Sequence, residues 1–250
     1  MKSILRPVLL FSVILCWIGS NAQQSPLTIP AGTILPVQLN STVKSNRARP
    51  GQIISARIMQ EVPLPGHARI PRGAKVIGQV VTVRPVSAAN KAEISLRFDM
   101  VATRKQRVPV TTHLRAMASL MAVSQAQVPE FGPDRGTPPY IWTTELIGGQ
   151  VDYHGGGLIT EGNEVVGHST ADGVLVRPGA LPGTRCRNAG DSDGLQAFWV
   201  FSYNACGIYD YDDLSLIHAG RTEPRGQFTV QVGKGNVDLR SGSGLLLRVQ

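Results

Sequence analysis

Side chains suited to chemistry crowd into one stretch of the second half. From Cys186 to Cys206 the sequence reads CRNAGDSDGLQAFWVFSYNAC, and YDYDD follows at Tyr209–Asp213. Three chemistries come to mind: a thiol pair, an oxygen-ligand cation site, and an aromatic surface for a sugar or a protein. The run Asp191-Ser192-Asp193-Gly194 tests the cation idea. In a calcium-loop frame with Gly194 at the sixth position, the first ligand would be Ala189 and the twelfth Val200, and neither side chain can hold a cation. The run therefore reads as a loop tip whose Asp and Gly supply turn geometry. Asp210, Asp212 and Asp213 are near-adjacent carboxylates on a loop, a pattern that solvation explains, so no metal is assigned. With Trp199, Tyr209 and Tyr211 they make a candidate ligand or partner surface.

Catalytic patterns fail one by one. His67, His113, His154, His168 and His218 form no His-Glu-x-x-His and no close metal-spaced pair. Ser243 in SGSG lacks the glycine two residues earlier that a nucleophile elbow requires, and HGGG at His154–Gly157 has no elbow serine downstream. No catalytic residue and no cofactor is assigned, and a non-enzymatic protein is expected.

The cysteines point to a compartment. Lys2 and Arg6 precede an apolar run, Pro7–Gly19, that is shorter than an ordinary membrane span, and Ser20-Asn21-Ala22 suits cleavage, so residues 1–22 read as a signal peptide. Its removal takes Cys16 and leaves Cys186 and Cys206, an even pair in an oxidising space, expected to form a disulfide. Closing that loop contributes on the order of 3 kcal/mol. The expected location is the periplasm or the cell exterior, with no transmembrane span after cleavage and oligomerisation left open.

Charge divides the chain. The formal net charge is +8, yet residues 23–127 carry 14 Lys and Arg against 3 acidic residues, whereas residues 128–250 carry 9 against 14. Such asymmetry suggests two surfaces with different partners, or halves that dock on each other. Nucleic acid is not expected: the basic half has Phe98 as its single aromatic, and single-strand grooves need stacking platforms.

The elements that must position these groups read as strands. Ile34–Leu39, Ile53–Val62, Lys75–Val83 and Lys91–Val101 are rich in Val, Ile and Leu, with turn formers between them. In EISLRFDMV, Ile94, Leu96, Phe98 and Met100 alternate with polar residues, the signature of a half-buried strand. RVPVTTHL reads as its neighbour across the ATRKQ turn. Two Ile-Pro-x-Gly figures, at Ile29 and Ile70, read as corners from which strands start, because proline lacks an N–H and glycine permits a tight turn. Leu114–Val128 has apolar residues at helical spacing and is expected to form a helix. Short strand patterns continue through Thr143–Ile147, Glu164–His168, Gly173–Val176, Ala197–Tyr203, Gln227–Val232 and Gly244–Val249. The expected fold is all-β: a small curved β-barrel or sandwich with one helix and an additional disulfide-bridged β module. The expected divisions are a barrel half at 23–127, a linker at 128–139, the module at 140–226, and C-terminal strands at 227–250 that complete the barrel.

IPAGTILPVQL, GQIISARIMQEV, RIPRGAKVIGQV and EISLRFDMV occur in the order found in the barrel domain of TrbI-like conjugation proteins, the envelope core of type IV secretion systems, and VDLRSGSGLLLRV resembles that family's closing strands. Ile70, Pro71, Gly73 and Gly78 match its corner motif. The resemblance covers residues 29–110 and 227–249 and implies a barrel used as a cell-envelope scaffold. It leaves about 110 residues between the matching parts unexplained, and the apparent cleavable signal departs from the family's membrane helix. Two functions follow as expectations: a scaffold or protein-interaction protein with envelope-protein partners, or an exported carbohydrate- or peptidoglycan-binding module that takes an anionic cell-wall polymer.

Overall fold

Both Ile-Pro-x-Gly figures fold into the same corner. Pro30 and Pro71 each offer their carbonyl to the N–H three residues on, at 3.3 and 3.2 Å, and Gly32 and Gly73 adopt φ of +88° and +84°, the left-handed geometry of a type II turn. Each glycine N–H then bonds across to a neighbouring strand, Gly32 to Val249 and Gly73 to Ile58, both at 2.8 Å. Ile29 and Ile70 are buried beneath these corners.

The structure is a computed structural model that describes residues 27–128, 143–153, 157–161, 163–179, 186 and 194–250. The expected signal peptide, the expected linker beyond Val128, His154, Asp191 and Asp193 lie outside the described residues. In chain order come β1 (Ile34–Leu39), β2 (Val43–Lys44), β3 (Ile53–Ile58), β4 (Val62–Pro63), β5 (Arg69–Ile70), β6 (Lys75–Arg84), β7 (Ala92–Ala102), β8 (Arg107–Pro109) and β9 (Thr112–Ala118), then helix α1 (Leu120–Ala126). Next are β10 (Thr143–Leu146), β11 (Gln150–Tyr153), β12 (Leu158–Glu161), β13 (Glu164–Thr170), β14 (Gly173–Val176) and β15 (Gln196–Trp199). The chain finishes through β16 (Gly207–Tyr209), β17 (Leu214–His218), β18 (Gln227–Val232), β19 (Asp238–Leu239) and β20 (Gly244–Val249).

A ten-stranded sheet runs β16-β9-β20-β1-β3-β6-β7-β18-β17, with β8 also on β7. Its two ends, β16 and β17, return into contact, so the sheet is a nearly closed barrel. β20 lies between β1 and β9, antiparallel to both, with Ile34 opposite Arg248. The interior is filled by Val37, Ile54, Val76, Leu96, Phe98, Phe228 and Leu245, among others. Phe98 and Phe228 sit on neighbouring strands with ring centroids 6.3 Å apart.

A four-stranded sheet, β12-β13-β14-β15, covers part of the barrel's outside. Between them a second apolar cluster joins Ile34, Ala116, Ala118 and Leu246 of the barrel to Val174, Val176, Phe198 and Phe201, with Val123 and Ala126 of α1. Strands β1, β9 and β20 are therefore buried on both faces, which is why they read as near-continuous apolar runs without alternation. The buried Gln60 fastens the layers: its amide N–H bonds to the Val174 carbonyl at 3.0 Å, and its carbonyl accepts the Trp199 N–H at 2.6 Å. A Cys186–Cys206 disulfide ties the module's loops.

The expected helix over Leu114–Val128 is a correction. Leu114–Ala118 belongs to β9, and α1 spans only Leu120–Ala126, starting where the Ser119 hydroxyl accepts the Ala122 N–H at 3.1 Å. Pairing with β20 and burial on both sides outweigh local helix preference. RVPVTTHL likewise divides: β8 stays on β7, and the chain then crosses to become β9. The Ala197–Tyr203 strand stops at Trp199, whose φ of +55° turns the backbone away.

Gly78 in the second corner motif has a packing reason. A Cβ there would lie 2.0 Å from the Arg97 carbonyl oxygen, on the paired strand beside a β6–β7 register shift. Gly78→Ala is expected to cost about 2–3 kcal/mol by overpacking, read as an earlier urea midpoint at unchanged slope. A midpoint equal to the parent's would remove this explanation of the motif.

Candidate functional site

The acidic tyrosine loop folds against the start of α1. The Ser119 N–H bonds to the Tyr209 carbonyl at 3.2 Å, and the Ser119 hydroxyl donates to the Asp210 carboxylate. Asp210 has φ of +55°, a left-handed geometry that Asp tolerates better than most side chains and that swings the following residues toward β19 and β20. A cleft of about 450 Å³ results, lined by Met121, Asp210, Tyr211, Asp212, Arg240 and Ser243 among others.

At its floor the Tyr211 hydroxyl and Ser243 Oγ lie 2.9 Å apart. Burial pushes the Tyr211 phenol above its ordinary pKa, so it stays protonated and can donate. Ser243 is fully buried and its hydroxyl is engaged there. Asp238 lines the cleft as well: its Oδ2 meets Lys44 Nζ at 2.8 Å, and its Oδ1 is buried without a hydrogen-bond partner among the described residues. Met121 stands exposed on the wall beside the rim acids. The arrangement offers carboxylates at the rim, a thioether on one wall and a hydroxyl pair below. It suits a partner group with an apolar body and a cationic or hydrogen-bonding tip.

The predicted surface residues separate in the structure. Tyr211, Asp210 and Asp212 share the cleft. Tyr209 is half-buried in β16, and its phenol oxygen accepts the Cys206 N–H at 2.8 Å. Asp213 points elsewhere, its Oδ2 accepting the Lys234 N–H at 2.7 Å. Trp199 is 3% exposed and belongs to the cluster between barrel and module, so it cannot present its ring to a ligand. An aromatic in a turn-rich module looks like a stacking group in sequence; here it is core. No group of three His, Cys, Asp or Glu able to hold a metal occurs among the described residues.

No protein-family model, curated protein or solved structure matches this chain. The geometry alone must carry the functional reading.

Sequence reasoning missed Ser119, Met121, Asp238, Arg240 and Ser243 as cleft residues. Ser119 carried a signal, a serine standing before an apolar run as a helix N-cap. Met121 follows on the same helix, whereas Asp238, Arg240 and Ser243 reach the cleft with β19, β20 and the turn between them, which return from far along the chain, and no local pattern marks that.

Proposed function

We propose that this chain is a non-enzymatic, exported cell-envelope scaffold that makes protein contacts through a TrbI-like β domain. The single observation that carries the reading is the nearly closed barrel in which the amino-proximal strand β1 and the late strand β20 are neighbours, with β1 and β6 launched from matching Pro-x-Gly corners. A sheet held at both ends, and stapled to a disulfide-tied module by Gln60, is a rigid platform rather than a hinged cleft. The disulfide is compatible with export, and among the described residues no helix is long and apolar enough to cross a membrane. A carbohydrate-stacking role is weaker, because Trp199 is buried and Tyr209 and Tyr211 are both half-buried.

The cleft beneath α1 is the proposed protein contact. A photo-crosslinking amino acid placed at Met121 is expected to capture one or a few defined envelope proteins in living cells. The same group at Ile217, which is 51% exposed on β17 outside the cleft, is expected not to capture them. Adding Asp212→Lys to the Met121 variant is expected to abolish the adduct. Identical adducts from both positions, or none from Met121, would count against the scaffold reading.

A further inference from the structure

The barrel's outer face carries a row of cations set across the strands. Arg57 of β3 stands directly opposite Lys75 of β6, Lys75 opposite Ala102 of β7, and Ala102 opposite Arg107 of β8. Arg57, Lys75 and Arg107 are all exposed, and side chains opposite each other share a face of the sheet. The β7–β8 turn adds exposed Arg104 and Lys105 at the same end. Neighbouring strands lie about 5 Å apart, so Lys75 follows Arg57 at one strand spacing and Arg107 follows Lys75 at two, or about 10 Å.

Like charges directly opposite each other destabilise a sheet. Elsewhere in this half Arg69 pairs with Glu61, Arg84 with Glu93, Arg72 with Asp172, and Lys44 with Asp238, while Arg47, Arg49, Lys91 and Arg97 form no ion pair among the described residues but do not stand opposite another cation. The five cations of the row have no carboxylate within 4.0 Å among the described residues. Asp99, the remaining acid of this half, forms no ion pair there either. The one neighbour contact within the row is neutral, Arg57 Nη2 donating to Gln38 Oε1 at 2.8 Å.

We propose that this row binds a linear polyanion, a polymer of repeating carboxylate or phosphate units laid across β3, β6, β7 and β8. A small anion would need donors converging on one point. Here they are strung along a line on a stiff sheet, which matches charges repeated along a chain. Bases play no part, because Phe98, the one aromatic of residues 23–127, is 1% exposed inside the barrel. This site is separate from the cleft beneath α1, and each can be lost without the other.

The test uses the full chain with polygalacturonate and inorganic polyphosphate as probes, which distinguish carboxylate from phosphate. Anionic phospholipid vesicles and single-stranded DNA run alongside. Arg57→Gln, Lys75→Gln and Arg107→Gln together are expected to weaken binding of at least one polyanion tenfold or more. The slope of log affinity against log salt should fall by about 2, at ~0.7 per lost contact. Arg49→Gln, Lys91→Gln and Lys234→Gln together remove the same charge from exposed positions off the row and are expected to change affinity less than threefold. Equal losses in the two variants would reduce the effect to net charge and overturn the proposal. So would row-dependent binding to vesicles or DNA with none to either polymer, or no polymer binding at low salt.

Discussion

Arg115→Met is expected to lower the unfolding free energy by about 4 kcal/mol. Arg115 is 1% exposed in β9, where strand alternation alone would not place a cation. Its Nε donates to the Ala205 carbonyl at 3.1 Å, and its Nη2 donates to the carbonyls of Gly179 and Tyr203. The guanidinium carbon lies 5.3 Å from the centre of the Phe198 ring, within cation–π reach. One side chain thus satisfies the irregular backbone with which the module meets the barrel. Methionine fills much of the volume but strands the Ala205 and Gly179 carbonyls, each costing about 1–3 kcal/mol when buried and unpaired, while the Tyr203 carbonyl keeps the Gly179 N–H at 2.9 Å. Arg115→Lys is expected to lose nearly as much, because an ammonium cannot reproduce the planar fork. Denaturant unfolding of the two variants checks this. A loss under about 1 kcal/mol in Arg115→Met would show that the guanidinium is not what clasps the module.

Acid should destabilise the protein through His113. The imidazole is buried in β9, and its pKa falls from 6.5 to about 3, first through burial and then through the charges of Arg221, Arg248 and Arg115. The Gln250 amide lies 3.4 Å from Nδ1, so with that amide as donor the neutral ring carries its proton on Nε2, which has no partner among the described residues. Between pH 6.5 and about 3 the unfolded chain binds a proton that the folded chain refuses. Stability from this group is complete above pH 6.5 and is lost as pH falls, by up to ~1.4 kcal/mol per unit and roughly 5 kcal/mol in all. His113→Asn keeps a short polar group and cannot titrate there. Its stability is expected to fall about 3 kcal/mol less than the parent's between pH 7 and pH 4.5. Every other titrating group is common to the two proteins and cancels in the comparison. Parallel pH profiles would mean that His113 is protonated in the fold.

The barrel was legible wherever a strand had one wet face or a marked corner. β7 announces itself by alternation, and the glycines of the two corners by the turns they make. β1, β14 and β20 match their apolar runs residue for residue because turn formers bracket them. β9 was not legible: a strand covered on both faces loses its period-two pattern, and Leu114, Met117, Leu120 and Met121 then imitate a helical stripe. The disulfide followed from counting cysteines. The cleft was half legible, since Asp210, Tyr211 and Asp212 lie together in sequence while Asp238 and Ser243 arrive from other strands. Trp199 misled because burial of an aromatic depends on what stacks above it, and nothing near it in the chain says so.

The place of β20 has a consequence for how the molecule comes into being. Because that strand fills the gap between β1 and β9, this part of the sheet cannot close until residues 244–249 have been synthesised. Until then two sticky, hydrogen-bond-hungry margins stand open, and closure depends on contacts remote in sequence, which are slow to form. A chain assembled in this order keeps its barrel open until residues 244–249 dock between β1 and β9.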